Sequence, residues 1–123
     1  EDGAVRALGD IADPRTLEPL LGRVEGPSRL EVLLALCKLK DPRAEAALVS
    51  ALADDDWQAR MNAAMALGPL GGVEAAAKLQ ETLVDEVHVV REWSARSLEM
   101  ITGQAVSYRN SKGEMVRPYN VYH

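Results

Sequence analysis

Residues with reactive or metal-binding side chains are few in this chain and lie far apart in its sequence. Cys37 is the single cysteine, and the two histidines, His88 and His123, have no further ligand at metal-binding spacing. The acidic run 54–56 lacks the alternating ligands and turn glycine of a cation-binding loop. Acidic residues before a helix are instead typical of helix capping. We therefore expect no catalytic residues, no metal and no cofactor.

Three arginines recur at intervals of 31 residues, at Arg29, Arg60 and Arg91. A row of guanidinium groups could clamp an acidic peptide or a phosphate. The alternative is a structural ladder, in which each arginine binds carboxylates or carbonyls of the adjoining turn. Acidic residues at 54, 55, 85 and 86 are available as partners for such a ladder.

The interval between these arginines is also the period of a longer repeat. The segment 35–43, ALCKLKDPR, echoes 7–15, ALGDIADPR, and a third copy, ALGPLGG, lies at 66–72. A decayed copy follows at 97–103, again after 31 residues. A fixed period in this range is typical of proteins built from stacked repeats.

Apolar spacing and capping residues predict two helices in each unit. Leu20, Leu48 and Leu79 are equivalent positions of the outer helix, and each is followed four residues later by another apolar residue. Inner helices are predicted at about 28–39, 56–67 and 87–101. Aspartate before proline at 41–42 is well suited to start a helix. These helices predict an all-α solenoid over residues 1–103.

The segment 60–71, RMNAAMALGPLG, resembles the HEAT-like repeat family, including the short variety first noted in phycobilisome lyases. Asp-Pro-Arg at 13–15 and 41–43 belongs to the same pattern. The resemblance covers about residues 1–103 and implies a right-handed α-α superhelix of about three and a half helix pairs. It also favours the structural ladder, because this arginine position is commonly structural in such families.

In this family the exposed stripe of the inner helices forms a concave face where partners usually bind. Here the stripe mixes apolar, aromatic and basic side chains, as interface hot spots do. We expect six of its residues to contact a partner: Leu34, Lys38, Asn62, Met65, Trp93 and Arg96. The expected function is therefore that of a non-catalytic protein–protein interaction or scaffolding module.

Two other functions remain open. Such repeats could serve as an accessory module of a chromophore lyase or another enzyme, holding a chromophore or a protein substrate. A nucleic-acid-binding role is disfavoured by the net charge of −5 and by a concave stripe with only two basic residues, Lys38 and Arg96. No run of about 18 apolar residues is present, so no membrane span is expected.

The two ends of the sequence differ from the repeats. The tail 104–123 contains all three tyrosines and alternates β-favouring residues around a turn at 110–113. This pattern favours a hairpin that caps the last repeat, with an extended arm as the alternative. At the other end, Ala4, Val5 and Leu8 correspond to an inner helix without its outer partner. We expect further repeats or self-association there.

Overall fold

The computed structural model describes residues 17–118. In this range the chain forms six α-helices, which are α1 (Leu17–Leu21), α2 (Arg29–Leu39), α3 (Glu45–Ala51), α4 (Trp57–Leu67), α5 (Val73–Thr82) and α6 (His88–Thr102). A 3₁₀ turn, Pro42–Ala44, leads into α3. After α6, strand β1 (Tyr108–Arg109) pairs antiparallel with β2 (Met115–Val116). The expected N-terminal inner helix and its self-association lie outside the described residues.

The helices alternate between an outer and an inner position. Each outer helix (α1, α3, α5) packs against the inner helix that follows it (α2, α4, α6), and the inner helices pack against one another in chain order. Successive units therefore stack side by side, with contacts mainly between neighbours. This architecture confirms the predicted all-α solenoid with a short C-terminal hairpin.

One hydrophobic core runs through all the described units. The equivalent outer-helix leucines, Leu20, Leu48 and Leu79, are each fully buried. Inner-helix leucines at 36, 67 and 98 are buried as well, and four alanines of α4 are at most 2% exposed. Because an alanine side chain is a single methyl group, α4 can lie close to both neighbouring inner helices.

Helix ends follow the capping residues that the sequence offers. The Asp56 carboxylate accepts a hydrogen bond from the Gln58 amide at 2.9 Å and so begins α4. The Asp41 carboxylate accepts one from the Arg43 amide at 3.0 Å, but the turn that it begins is the 3₁₀ turn rather than α3 itself. Gly103 ends α6 in the left-handed conformation, with φ of 71°.

Gly68, at the end of α4, packs closely against α6. A Cβ added there would lie 2.8 Å from Met100 Sδ, 2.9 Å from Ser97 Oγ and 3.3 Å from Ser97 Cα. We therefore expect Gly68→Ala to lower the free energy of unfolding by about 1–3 kcal/mol, because α6 must move away from α4. Urea unfolding followed by far-ultraviolet circular dichroism measures this difference.

Gly72→Ala is the matched control for this change. The three atoms nearest to a Cβ at Gly72 would all belong to the carboxylate end of the flexible Glu45 side chain. The backbone at Gly72, with φ of −92°, already suits alanine. We expect a smaller loss than at Gly68, and equal losses would contradict a close helix contact at that position.

Candidate functional site

Two of the three ladder arginines, Arg29 and Arg60, each join their unit to the next through an aspartate. Arg29 Nε donates to Asp54 Oδ2 at 2.8 Å, and its Nη2 donates to Oδ1 at 3.2 Å. Arg60 binds Asp85 through the same atoms at the same two distances. A bidentate pair repeated with one geometry holds successive units in one register.

The same aspartates also hold the start of the next inner helix. Asp54 Oδ1 accepts the Asp56 amide at 2.8 Å, and Asp85 Oδ1 accepts the Val87 amide at 2.9 Å. Arg60 Nη1 adds bonds to the carbonyls of Asp54 at 2.8 Å and Asp55 at 3.1 Å. The guanidinium groups of α2 and α4 thus bind the array itself.

The ladder predicts a loss of stability in acid. The Arg29 guanidinium, bonded to Asp54, holds the pKa of that carboxyl below its ordinary value of 3.8. Because the folded-state pKa is the lower one, the stabilisation is complete above the unfolded value and is lost as the pH falls through the folded one. We expect Asp54→Asn to be less stable than the wild type at neutral pH. This difference should shrink below about pH 4.

Urea midpoints measured from neutral to acidic pH test this expectation. Asp54→Asn keeps an oxygen acceptor for Arg29 but no longer ionises, which makes it a conservative probe of the charge alone. A stability difference that stays constant across the whole titration would contradict a contribution from the Asp54 carboxylate.

Five of the six predicted partner-binding residues retain surface on the inner helices. Leu34 is 41% exposed and Lys38 is exposed, whereas Met65, Trp93 and Arg96 are half-buried. Leu34, Met65 and Arg96 each lie five residues after a ladder arginine, so the common register puts them at equivalent positions. We call the surface formed by these five residues the inner-helix face; they are Leu34, Lys38, Met65, Trp93 and Arg96.

The prediction that Asn62 belongs to the exposed stripe is wrong. Its side chain is only 5% exposed, and its Nδ2 donates to the Leu30 carbonyl of α2 at 3.3 Å. Ser97 of α6 bonds the Ala64 carbonyl of α4 in a comparable way. Asn62 therefore fastens one inner helix to the previous one, and it cannot contact a partner without leaving that bond.

Trp93 and Arg96 form one unit at the α6 end of the inner-helix face. The Arg96 guanidinium carbon lies 4.8 Å from the centroid of the Trp93 ring, and Arg96 Nη2 is 2.9 Å from Glu92 Oε2. Stacking and pairing together restrict the long arginine side chain. The Trp93 ring and the Arg96 guanidinium therefore form a preordered pair, apolar on one side and charged on the other.

Met100 extends the same face and was missed by the sequence prediction. It is 51% exposed and follows Arg96 by four residues, which is one helical turn. Its place could have been found from the register, because it lies two periods of 31 residues after Lys38. Met100 therefore belongs to the inner-helix face.

Cys37 and the groups that could bind a metal decide whether residues 17–118 offer a nucleophile or a metal site. Burial raises the pKa of the Cys37 thiol, so the thiolate needed of a nucleophile or ligand is disfavoured there. Between residues 17 and 118, no group of histidine, cysteine, aspartate and glutamate could hold a metal ion. Over the same range, every helix is too short or too polar to cross a bilayer.

Comparisons with known proteins match most of the repeat region. The family model for HEAT repeats matches residues 25–99, and that for the PBS lyase HEAT-like repeat matches residues 2–24. Phycocyanobilin lyase subunit alpha from a Picosynechococcus species is 41% identical over 71 residues, covering 52% of this chain. The match covers 26% of that relative, so the chain spans about a quarter of its length.

Proposed function

The chain belongs to the HEAT-repeat proteins, and from this we propose that it is a non-catalytic interaction module that binds a protein partner on its inner-helix face. The observation that carries the proposal is the recurrence of partly exposed, largely apolar side chains on successive inner helices. Leu34 lies on α2, Met65 on α4, and Trp93 with Met100 on α6.

The rigidity of the array supports this proposal. The bidentate pairs Arg29–Asp54 and Arg60–Asp85 fix the register of the units, and the core beneath the inner helices is continuous. Side chains held in place before binding lose less conformational entropy when a partner docks. Even a small surface on such a scaffold can therefore bind a partner with measurable affinity.

The chemistry of the face indicates what the partner offers. Neighbouring packed helices lie about 8–10 Å apart, so the apolar side chains of successive inner helices recur at about that spacing. Three of the side chains involved, Met65, Trp93 and Met100, are of the large or adaptable kinds enriched at interfaces. The proposed partner presents apolar anchors at the same interval, such as residues two turns apart on a helix.

The experiment compares partner capture by two variants that each replace an exposed apolar residue with glutamate. Leu34→Glu alters the inner-helix face, whereas Val73→Glu alters an outer helix at a side chain that is 90% exposed. Proteins retained by the immobilised chain are identified by mass spectrometry, and the affinity of a purified partner is then measured by calorimetry. We expect Leu34→Glu to weaken binding about tenfold or more.

Val73→Glu should bind as the wild type does, because its side chain lies away from the inner helices. Circular dichroism of both variants confirms that the helices are intact. Equal affinities for the two variants, or a loss confined to Val73→Glu, would place the partner elsewhere and overturn the proposal.

A second candidate function is support of phycocyanobilin attachment, which the identity to a lyase subunit favours. A cleft of about 540 Å³ lies between the end of α5 and the hairpin, within the range of small-molecule sites. Leu83, Val84, Tyr108 and Met115 contribute to its lining. A conjugated ligand would be held there mainly by apolar and aromatic contacts.

Titration of the chain with phycocyanobilin, followed by visible absorbance, tests this second function. We expect a saturable spectral change for the wild type and its loss in Val84→Arg, which puts a charged group into the cleft. An unchanged pigment spectrum at all ratios removes the candidate. The outcome is independent of the partner experiment, because Leu34 lies on a different surface.

A further inference from the structure

The last ladder arginine binds the hairpin with the same atoms that the others use for aspartate. Arg91 Nη1 donates to the Asp85 carbonyl at 2.6 Å, as Arg60 Nη1 does to Asp54. Its Nε donates to the Arg109 carbonyl at 2.6 Å, and its Nη2 to the Asn110 carbonyl at 3.5 Å. The carbonyl oxygens of Arg109 and Asn110 thus take the places that Oδ2 and Oδ1 of the next unit's aspartate would occupy.

A second group of contacts fastens the same segment to α6. Glu99 Oε2 accepts the Val106 amide at 2.8 Å and lies 3.0 Å from Arg117 Nη2. The Val106 side chain packs against the core, and Pro118 is buried. The segment therefore covers apolar surface as well as satisfying polar groups.

We propose that residues 104–118, the tail hairpin, replace a following repeat and close this end of the array against a second copy of the chain. A solenoid end exposes the apolar side of its last helix, which must be covered to prevent stacking. The tail hairpin covers that side of α6 while reproducing the arginine contacts of a true repeat. Without it, we expect the uncovered apolar side of α6 to associate with that of a second copy.

The chemistry of the contacts makes this closure weaker than a real repeat. Arg29 and Arg60 bind carboxylates, whereas Arg91 meets neutral carbonyls from the tail hairpin. A guanidinium and a carboxylate also attract each other as opposite charges, and a neutral carbonyl lacks this attraction. The tail hairpin should consequently be released before neighbouring helices unfold.

Val106→Asp in the full chain tests the proposal. It puts a carboxylate against the core and beside Glu99, so the tail hairpin should detach. We expect the amides of Asn110 and Gly113 to lose their protection from hydrogen exchange. Protection in α6 should fall by about tenfold or more, since a single lost hydrogen bond to a charged group is worth that factor. Sedimentation velocity should show association that increases with concentration.

Ser111→Asp is the matched control, because this side chain is exposed at the turn of the same hairpin. It should behave as the wild type in both measurements. Unchanged α6 protection in Val106→Asp would overturn the role of the tail hairpin as a repeat substitute. Sedimentation that matches the wild type at every concentration would overturn its role in closing the end.

Glu99→Gln provides the same readouts should Val106→Asp unfold the whole array. It weakens the contacts with Val106 and Arg117 without placing a charge in the core. We expect the same order of events with smaller amplitude: release of the tail hairpin, loss of α6 protection, then association. A tail hairpin that exchanges freely while α6 stays fully protected and the sedimentation is unchanged would contradict the proposal.

Discussion

Replacing Leu79 with alanine should lower the free energy of unfolding by about 3 kcal/mol or more. Leu79 lies on α5 and is fully buried in the core that joins the outer and inner helices. Truncation loses the burial of its side chain and leaves a cavity that stacked helices can only partly close. Urea unfolding followed at the helical circular dichroism band measures the loss.

Val73→Ala on the same helix is the control for this change. Its side chain is 90% exposed, and alanine is the better helix former, so the stability should stay within about 0.5 kcal/mol of the wild type. Similar losses at positions 73 and 79 would mean that α5 does not bury the face described here.

The register of the buried leucines could be predicted because a repeat places each of them in the same environment. Leu48 and Leu79 are 31 residues apart, and each needs the same neighbours from the unit beside it. The ends of two inner helices could be predicted as well, because Asp56 begins α4 and Gly103 ends α6, as capping rules expect. The 31-residue period is therefore enough to predict the fold from the sequence.

The choice of ladder partners depended on geometry that the sequence does not display. Four acidic residues were candidates, yet only Asp54 and Asp85 present both carboxylate oxygens to an arginine of the previous unit. Both lie six residues before the next ladder arginine, a regularity whose meaning becomes clear only when the turn conformation is known. Asp55 contributes its carbonyl instead.

The error at Asn62 has a similar physical cause. A polar residue on the same predicted stripe as Gln58 and Met65 was expected to be exposed, whereas the alanines of α4 let α2 come close enough for Asn62 to reach the Leu30 carbonyl. Helix separation decides this, and it depends on the side chains of both helices. Leu34, by contrast, is 41% exposed.

Arg60→Ala should cost about 3 kcal/mol of stability, because it removes one partner of an almost buried ion pair. The Arg60 and Asp85 side chains are only 13% and 10% exposed. The variant leaves the Asp85 carboxylate without its guanidinium and removes the donor to the Asp54 and Asp55 carbonyls. Urea unfolding detects the total loss, and hydrogen exchange should locate it in α5 and α6.

Two further arginine variants separate a ladder from an isolated surface pair. Arg43→Ala removes a pair with Asp41 in which the arginine side chain is 64% exposed; solvent screens such a pair, so the unfolding midpoint should hardly change. Arg60→Lys keeps the charge but loses the fork that spans both Asp85 oxygens, and it should fall between the two. A lysine variant as stable as the wild type would show that charge alone joins the units, and that the shared bidentate geometry of Arg29 and Arg60 contributes nothing.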